Sequence, residues 1–151
     1  MTKSNFVEQN IYNQILENMP IPCVDVVILH NNSVLLVKRK DKPAQGEWWV
    51  PGGRVLKGET MKQTAKRKAS EEVGIDCVVG PIIHTAETIF PDGERDIPVH
   101  SINSCFFLVP QNYDGKVELD EHCLEYTWVD DISTAYLHLH PYVLDCIRSV
   151  L

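Results

Sequence analysis

The stretch Gly46–Gly74, GEWWVPGGRVLKGETMKQTAKRKASEEVG, sets two tryptophans, a proline and a glycine pair in front of a charged helical segment. A core strand has no use for Gly52-Gly53, and a surface loop has none for Trp48-Trp49. Together they read as a short strand, ended by proline and glycine, that runs into a loop where a ligand meets the backbone. The segment ETMKQTAKRKASEEVG predicts a helix stopped by Gly74, as a C-terminal glycine commonly does. At about 100° per residue, Ala65, Ala69 and Val73 share a side that fits against a sheet, while Arg67, Lys68, Glu71 and Glu72 fill the neighbouring arc. Two readings of that arc stand side by side. It is a solvated face with Arg67–Glu71 and Lys68–Glu72 pairs at i, i+4. Alternatively, Glu59, Glu71 and Glu72 converge near the Gly53 carbonyl and offer the oxygen ligands that hard divalent cations prefer.

Outward from this stretch the chain alternates in type. A short helix is expected over roughly Phe6–Asn18, from the spacing of Phe6, Ile11, Ile15 and Leu16. A strand over about Cys23–His30 and the return strand VLLVKRK flank an Asn31-Asn32 hairpin turn. After the charged helix, CVVGPIIHTAETIF is extended, PDGERD is a loop, and VHSINSCFFLVP and EYTWVD are strands. The tail from about Ser133 to Leu151 reads as an amphipathic helix interrupted near Pro141. The expected class is α/β or α+β, a mixed sheet with helices packed against it.

The 151 residues fit one domain, 1–151, able to bury a core without staples. Composition is ordinary for a globular chain, with 44% apolar and 23% charged residues. No run of about 18 apolar residues predicts a membrane span, and MTKSNFVEQN lacks the apolar stretch of a secretory signal. The five cysteines are irregularly spaced, which points to buried thiols and a cytoplasmic setting. A net charge of -7 argues against nucleic-acid polymers as partners, but not against a single nucleotide held by a few arginines and a metal ion.

The sequence resembles the Nudix hydrolase family, whose box reads G-x5-E-x7-R-E-U-x-E-E-x-G-U, with U a bulky apolar residue. Gly53, Glu59, Arg67, Glu71, Glu72, Gly74 and Ile75 stand at the family spacing. Lys68 replaces the first glutamate of R-E-U-x-E-E, and Ala69 is a small choice at the apolar position after it. GDP-mannose mannosyl hydrolases also lack that glutamate. The chain is similar to them in Pro43–Trp48, in Val50–Val55 and in Asp25 on the first strand. The resemblance implies a Nudix-type mixed sheet sandwiched between helices. It also implies hydrolysis of a nucleoside diphosphate sugar at the anomeric carbon with Mg²⁺ (or Mn²⁺), and a homodimer.

By the same resemblance the Gly53 carbonyl, Glu71, Glu72 and Glu121 would ligate the metal. Arg39, Arg54 and Arg67 would contact the diphosphate or support the site, where guanidinium groups stabilise a leaving group that gains charge. Asp25, His100 and Trp48 complete the expected substrate contacts, with His100 facing either the site or solvent and one tryptophan of Trp48-Trp49 belonging to the core. In the loop LDEHCLEYTW, a one-residue shift makes Glu121 the ligand and His122 the base. Without the shift, His122 is the ligand and Cys123 the base. Histidine titrates near neutrality, which favours the shift. A pyrophosphohydrolase attacking phosphorus through Glu71, Glu72 and Glu121 is the competing activity, and a non-catalytic nucleotide sensor is the third reading.

Overall fold

The computed structural model describes residues 7–132 and 138–151. Helix α1 spans Gln9–Asn18 and leads into strand β1, Ile21–His30. Strands β2 (Ser33–Arg39), β3 (Trp48–Trp49) and β4 (Gly52–Arg54) precede helix α2 (Met61–Val73). Strands β5 (Cys77–Phe90), β6 (Val99–Pro110) and β7 (Cys123–Val129) follow, and helix α3 covers Pro141–Arg148.

β1 is the hub of a seven-stranded mixed sheet. On one side it runs parallel to β6, from Ile21 opposite Ser101 to Ile28 opposite Leu108. On the other it pairs antiparallel with β4 near its start and with β2 near its end. β2 also carries β3 and β7, and β6 carries β5. A strand enclosed in this way needs apolar side chains on both faces, hence the uninterrupted Val26-Val27-Ile28-Leu29. Alternation sends Val24, Val26, Ile28, Leu35 and Val37 to a core under α2, with Ala65, Ala69 and Val73. Val27, Val34 and Leu36 point to a second core under α3, with Val143, Cys146 and Ile147. The sheet is thus sandwiched between helices, as expected.

The boundaries of α2 follow from its ends. Thr60 accepts from the Gln63 amide at 3.1 Å, while the Gln63 side chain accepts from the Thr60 amide at 2.8 Å, a reciprocal capping box. Gly74 closes the helix at φ 69°. That left-handed conformation costs glycine least.

Several expectations need correction. Trp48–Arg54 is two short strands broken at Val50-Pro51, and Gly52-Gly53 is strand rather than loop. The reason is proximity. A Cβ on Gly52 would lie 2.1 Å from Asp25 Oδ1 and 2.6 Å from the Val24 carbonyl oxygen, so only glycine lets β4 pair here. Pro141 does not interrupt the last helix but opens it, at a position where its missing N–H costs nothing. His140 Nδ1 caps that end by accepting from the Tyr142 amide at 3.1 Å. Residues 133–137 of the expected tail helix and Phe6 of the first helix lie outside the described residues. β1 starts at Ile21 and β7 at Cys123, slightly earlier than read from sequence. All five cysteines are free thiols. Among the described residues, no helix is long and apolar enough to cross a membrane.

Gly52→Ala is expected to lower unfolding stability by about 1–3 kcal/mol, the usual range for overpacking. Urea unfolding monitored by tryptophan fluorescence checks it, and unchanged stability would contradict the close packing of β4 on β1.

Candidate active site

β1, β4 and α2 meet at a cleft of about 460 Å³, a size suited to a small-molecule ligand. Asp25, Gly52, Gly53, Lys68 and Glu72 lie along it, with Tyr12 and Leu16 from α1 and Trp49 and Phe90 adding apolar surface. Thr88 from β5 and Ser101 and Asn103 from β6 add a polar stretch. A second groove, lined by Arg67, Glu71, Asp120 and Glu121, adjoins it and shares Arg54, Lys68 and His122.

Glu72 is buried, and its Oε1 accepts from the Gly52 amide at 3.2 Å. Burial pushes its carboxyl above the usual range, against the opposing pull of Lys68 and the Gly52 N–H. Glu71 is more open and accepts from Arg67 Nη1 at 3.1 Å. The loop after β6 is tied to this helix end: the Asp120 amide donates to the Glu72 carbonyl at 3.1 Å, and the Glu118 amide to the Val73 carbonyl at 2.9 Å. These bonds set Asp120, Glu121 and His122 beside α2.

His122 is oriented by Asp41, whose Oδ2 lies 2.9 Å from Nδ1. Its own amide donates to Asp120 Oδ1 at 2.9 Å. The bond to Asp41 raises the imidazole pKa, partly offset by burial. A carboxylate holding one ring nitrogen is the arrangement that fixes a tautomer; the other nitrogen, Nε2, lies 3.7 Å from Glu121 Oε1. Cys123, the alternative base, has a thiol pushed up to about 12, chiefly by burial, and stays protonated near neutrality.

The three arginines separate. Arg39 lines the cleft next to a register irregularity between Lys38 and Arg39, and its Nε donates to the Pro43 carbonyl at 2.7 Å. Arg54 lies over the Tyr12 ring, 4.6 Å from the centroid, within cation–π range. Arg67 is committed to the protein itself. It meets Glu59 through two bonds of 2.7 and 3.0 Å, then Glu71 and, at 3.1 Å, the Arg54 carbonyl. Of the two roles expected for Arg67, these bonds favour support of the site over contact with the diphosphate. Glu59 is corrected from a member of the converging carboxylates to the partner of this clasp. Burial pushes the Glu59 carboxyl up, but bonds from Arg67, Thr64 and the Leu56 amide outweigh it and hold the pKa below its ordinary value.

Strand geometry decides two further positions that the sequence left open. His100 alternates to the side opposite Val99 and Ser101, outside the cleft, and pairs with Glu87 Oε2 at 2.7 Å. Trp48 lies off the cleft against the α3-side core, and Trp49 lines it instead, stacked on Tyr142 at 6.0 Å between centroids. Asp25 does line the cleft, buried, with the Tyr142 hydroxyl donating to Oδ2 at 2.6 Å. Tyr12, Asp41, Tyr142, Thr88 and Asn103 escaped the sequence reading. The polar alternation Ser101, Asn103 in an apolar strand was the available signal for the last.

The donors beside α2 are carboxylate oxygens, one of them buried, which suits a hard divalent cation. Among the described residues, no three His, Cys, Asp or Glu groups already stand at metal-ligating spacing. Glu71 and Glu72 instead face the ammonium of Lys68, at 3.5 and 3.7 Å.

Asp25 gives a pH signature. Burial raises its carboxyl from 3.8 to about 7, despite the Tyr142 hydrogen bond. Between those values the folded protein keeps a proton that the unfolded chain has released, so stability falls as pH rises through this window. Asp25→Asn removes that contribution. Its stability relative to wild type should climb by roughly 2–4 kcal/mol between pH 4 and pH 7.5. Urea unfolding at both pH values measures it, and a constant difference would contradict the raised value.

Comparisons with known proteins agree with this architecture. The NUDIX domain profile matches residues 19–134. The low-salt glycan biosynthesis protein Agl8 of Haloferax volcanii is 36% identical over 133 residues, 85% of this chain and 81% of that protein. The ADP-ribose pyrophosphatase of Methanocaldococcus jannaschii is 34% identical over 89 residues, 59% of this chain and 50% of that protein. A solved MutT NUDIX hydrolase from Burkholderia pseudomallei superposes with a TM-score of 0.71 at 21% identity, over 89% of this chain and 100% of that one. With the box residues gathered where β4 meets α2 and the profile covering most of its length, the chain belongs to the Nudix hydrolase family.

Proposed function

We propose that this hydrolase cleaves a nucleoside diphosphate sugar, GDP-mannose-like, at the sugar's anomeric carbon, releasing the sugar and the nucleoside diphosphate. Nudix hydrolases act on nucleoside diphosphate derivatives and generally use divalent metals. The observation that carries the proposal is the Asp41–His122 pair, an oriented imidazole at the cleft and outside the Nudix helix. Lys68 in place of the first helix glutamate supports it, because a carboxylate available to activate water for attack at phosphorus is missing there. The glycan-biosynthesis name of the Haloferax relative points to sugar chemistry too.

In this reading Tyr12, Trp49 and Phe90 give apolar surface for the flat or cyclic parts of the substrate. Asp25, Thr88, Ser101 and Asn103 offer hydrogen-bonding groups to hydroxyls. Arg39 and Arg54 hold the diphosphate. His122 takes a proton from water, the water oxygen bonds to the anomeric carbon, and the bond from that carbon to the diphosphate oxygen breaks with its electron pair leaving on the diphosphate. Mg²⁺, for which Mn²⁺ can substitute, would be held by the Gly53 carbonyl, Glu71, Glu72 and Glu121. When bound it supplies charge neutralisation for the leaving diphosphate. A cytoplasmic homodimer of single-domain chains belongs to the same proposal.

The second reading, attack at phosphorus with Glu71, Glu72 and Glu121 carrying the chemistry, is favoured by the name of the Methanocaldococcus relative, an ADP-ribose pyrophosphatase. Turnover of a nucleotide-sugar panel in ¹⁸O water with Mg²⁺ separates the two. Label in the free sugar is expected, and label in a phosphate product would sink the proposal. His122→Ala should lower kcat by about 10²–10⁴-fold, the usual contribution of a general base.

A further inference from the structure

Lysines on exposed helical arcs normally carry their ammonium into water. Lys68 does not: its side chain is only 14% exposed. Its Nζ lies 3.5 Å from Glu71 Oε2 and 3.7 Å from Glu72 Oε1. The stem runs against β4, where a Cβ on Gly53 would stand 2.8 Å from Lys68 Cε and 3.2 Å from Nζ. The ammonium is therefore flanked by Gly53, Glu71 and Glu72, three of the four groups assigned above to the metal. Glu72 is buried, so this is no solvated surface pair, and a nearby cation stabilises the charged form of a buried carboxylate.

We propose that Lys68 is a resident counter-cation of the Glu71–Glu72 pair and competes with the divalent metal for it. The inference rests on the metal assignment made above. In the metal-free protein the ammonium holds the two carboxylates together. An ion entering at the same position meets a like charge at close range, which weakens its binding by tenfold or more. Metal entry then requires the ammonium to move, and Asp120, lining the adjoining groove with Lys68, offers it a new partner. The replacement of a family carboxylate by lysine thus changes how strongly the protein holds metal as well as removing a candidate base.

Manganese titration of the metal-stripped full chain, without substrate, tests this through the EPR signal of free Mn²⁺. Lys68→Gln should bind Mn²⁺ at least tenfold more tightly than wild type. In EDTA its melting temperature should fall below that of wild type, and Mn²⁺ should raise it by a larger increment. Lys68→Met, which keeps the aliphatic stem against Gly53, gives the same comparison if the glutamine variant does not fold. Equal Mn²⁺ affinity in wild type and variants would overturn the competition while leaving the metal assignment in place. Absence of Mn²⁺ binding in every protein would overturn both.

Discussion

The site depends on one close approach, that of the Gly52-Gly53 backbone to the side chains around it. Gly52 lies against Asp25 on one strand and donates its N–H to Glu72 on a helix, with no room for a Cβ toward Asp25. Gly53 lies just as tightly against Lys68. Sheet, helix and acidic centre are joined through these two residues. The sandwich supplies rigidity on either side: β1 is paired along both edges, and its alternating side chains feed two separate cores. A ligand site built on strands and a capped helix keeps its geometry better than one built on loops.

Around that centre the charged groups divide by task. Arg67 and Glu59 form a bidentate pair that locks the β4–α2 connection through the Arg54 carbonyl, and neither is free to do chemistry. Arg39 and Arg54 remain directed to the cleft. Glu71 and Glu72 pair with the ammonium of Lys68, and His122 pairs with Asp41 nearby. The Nudix helix thus provides the charge environment, while the loop before β7 provides the oriented imidazole.

Much of this was legible in the sequence because it is local. The box spacing, the Gly74 helix end and the apolar run of β1 each leave a signature within a few residues. What was misread depends on tertiary placement. Which of Trp48 and Trp49 faces the cleft is a question of strand phase, and a one-residue difference reverses it. The two facings left open for His100 are separated by the same one-residue phase. The expected partner of Arg67 was Glu71 at i, i+4; Glu59 lies in the preceding loop and closes on Arg67 only when β4 and α2 pack. Pro141 was read as a helix interruption, since the sequence does not distinguish a proline inside a helix from one at its first turn without knowing where the helix begins.

Glu72 is the buried carboxylate proposed to gather a cation beside Gly53. Steady-state turnover of Glu72→Gln against added Mg²⁺ or Mn²⁺, with folding verified by circular dichroism, tests that most directly. A folded variant with metal-dependent activity reduced to background is the predicted result. A folded variant that keeps a near-wild-type rate and metal response would contradict it.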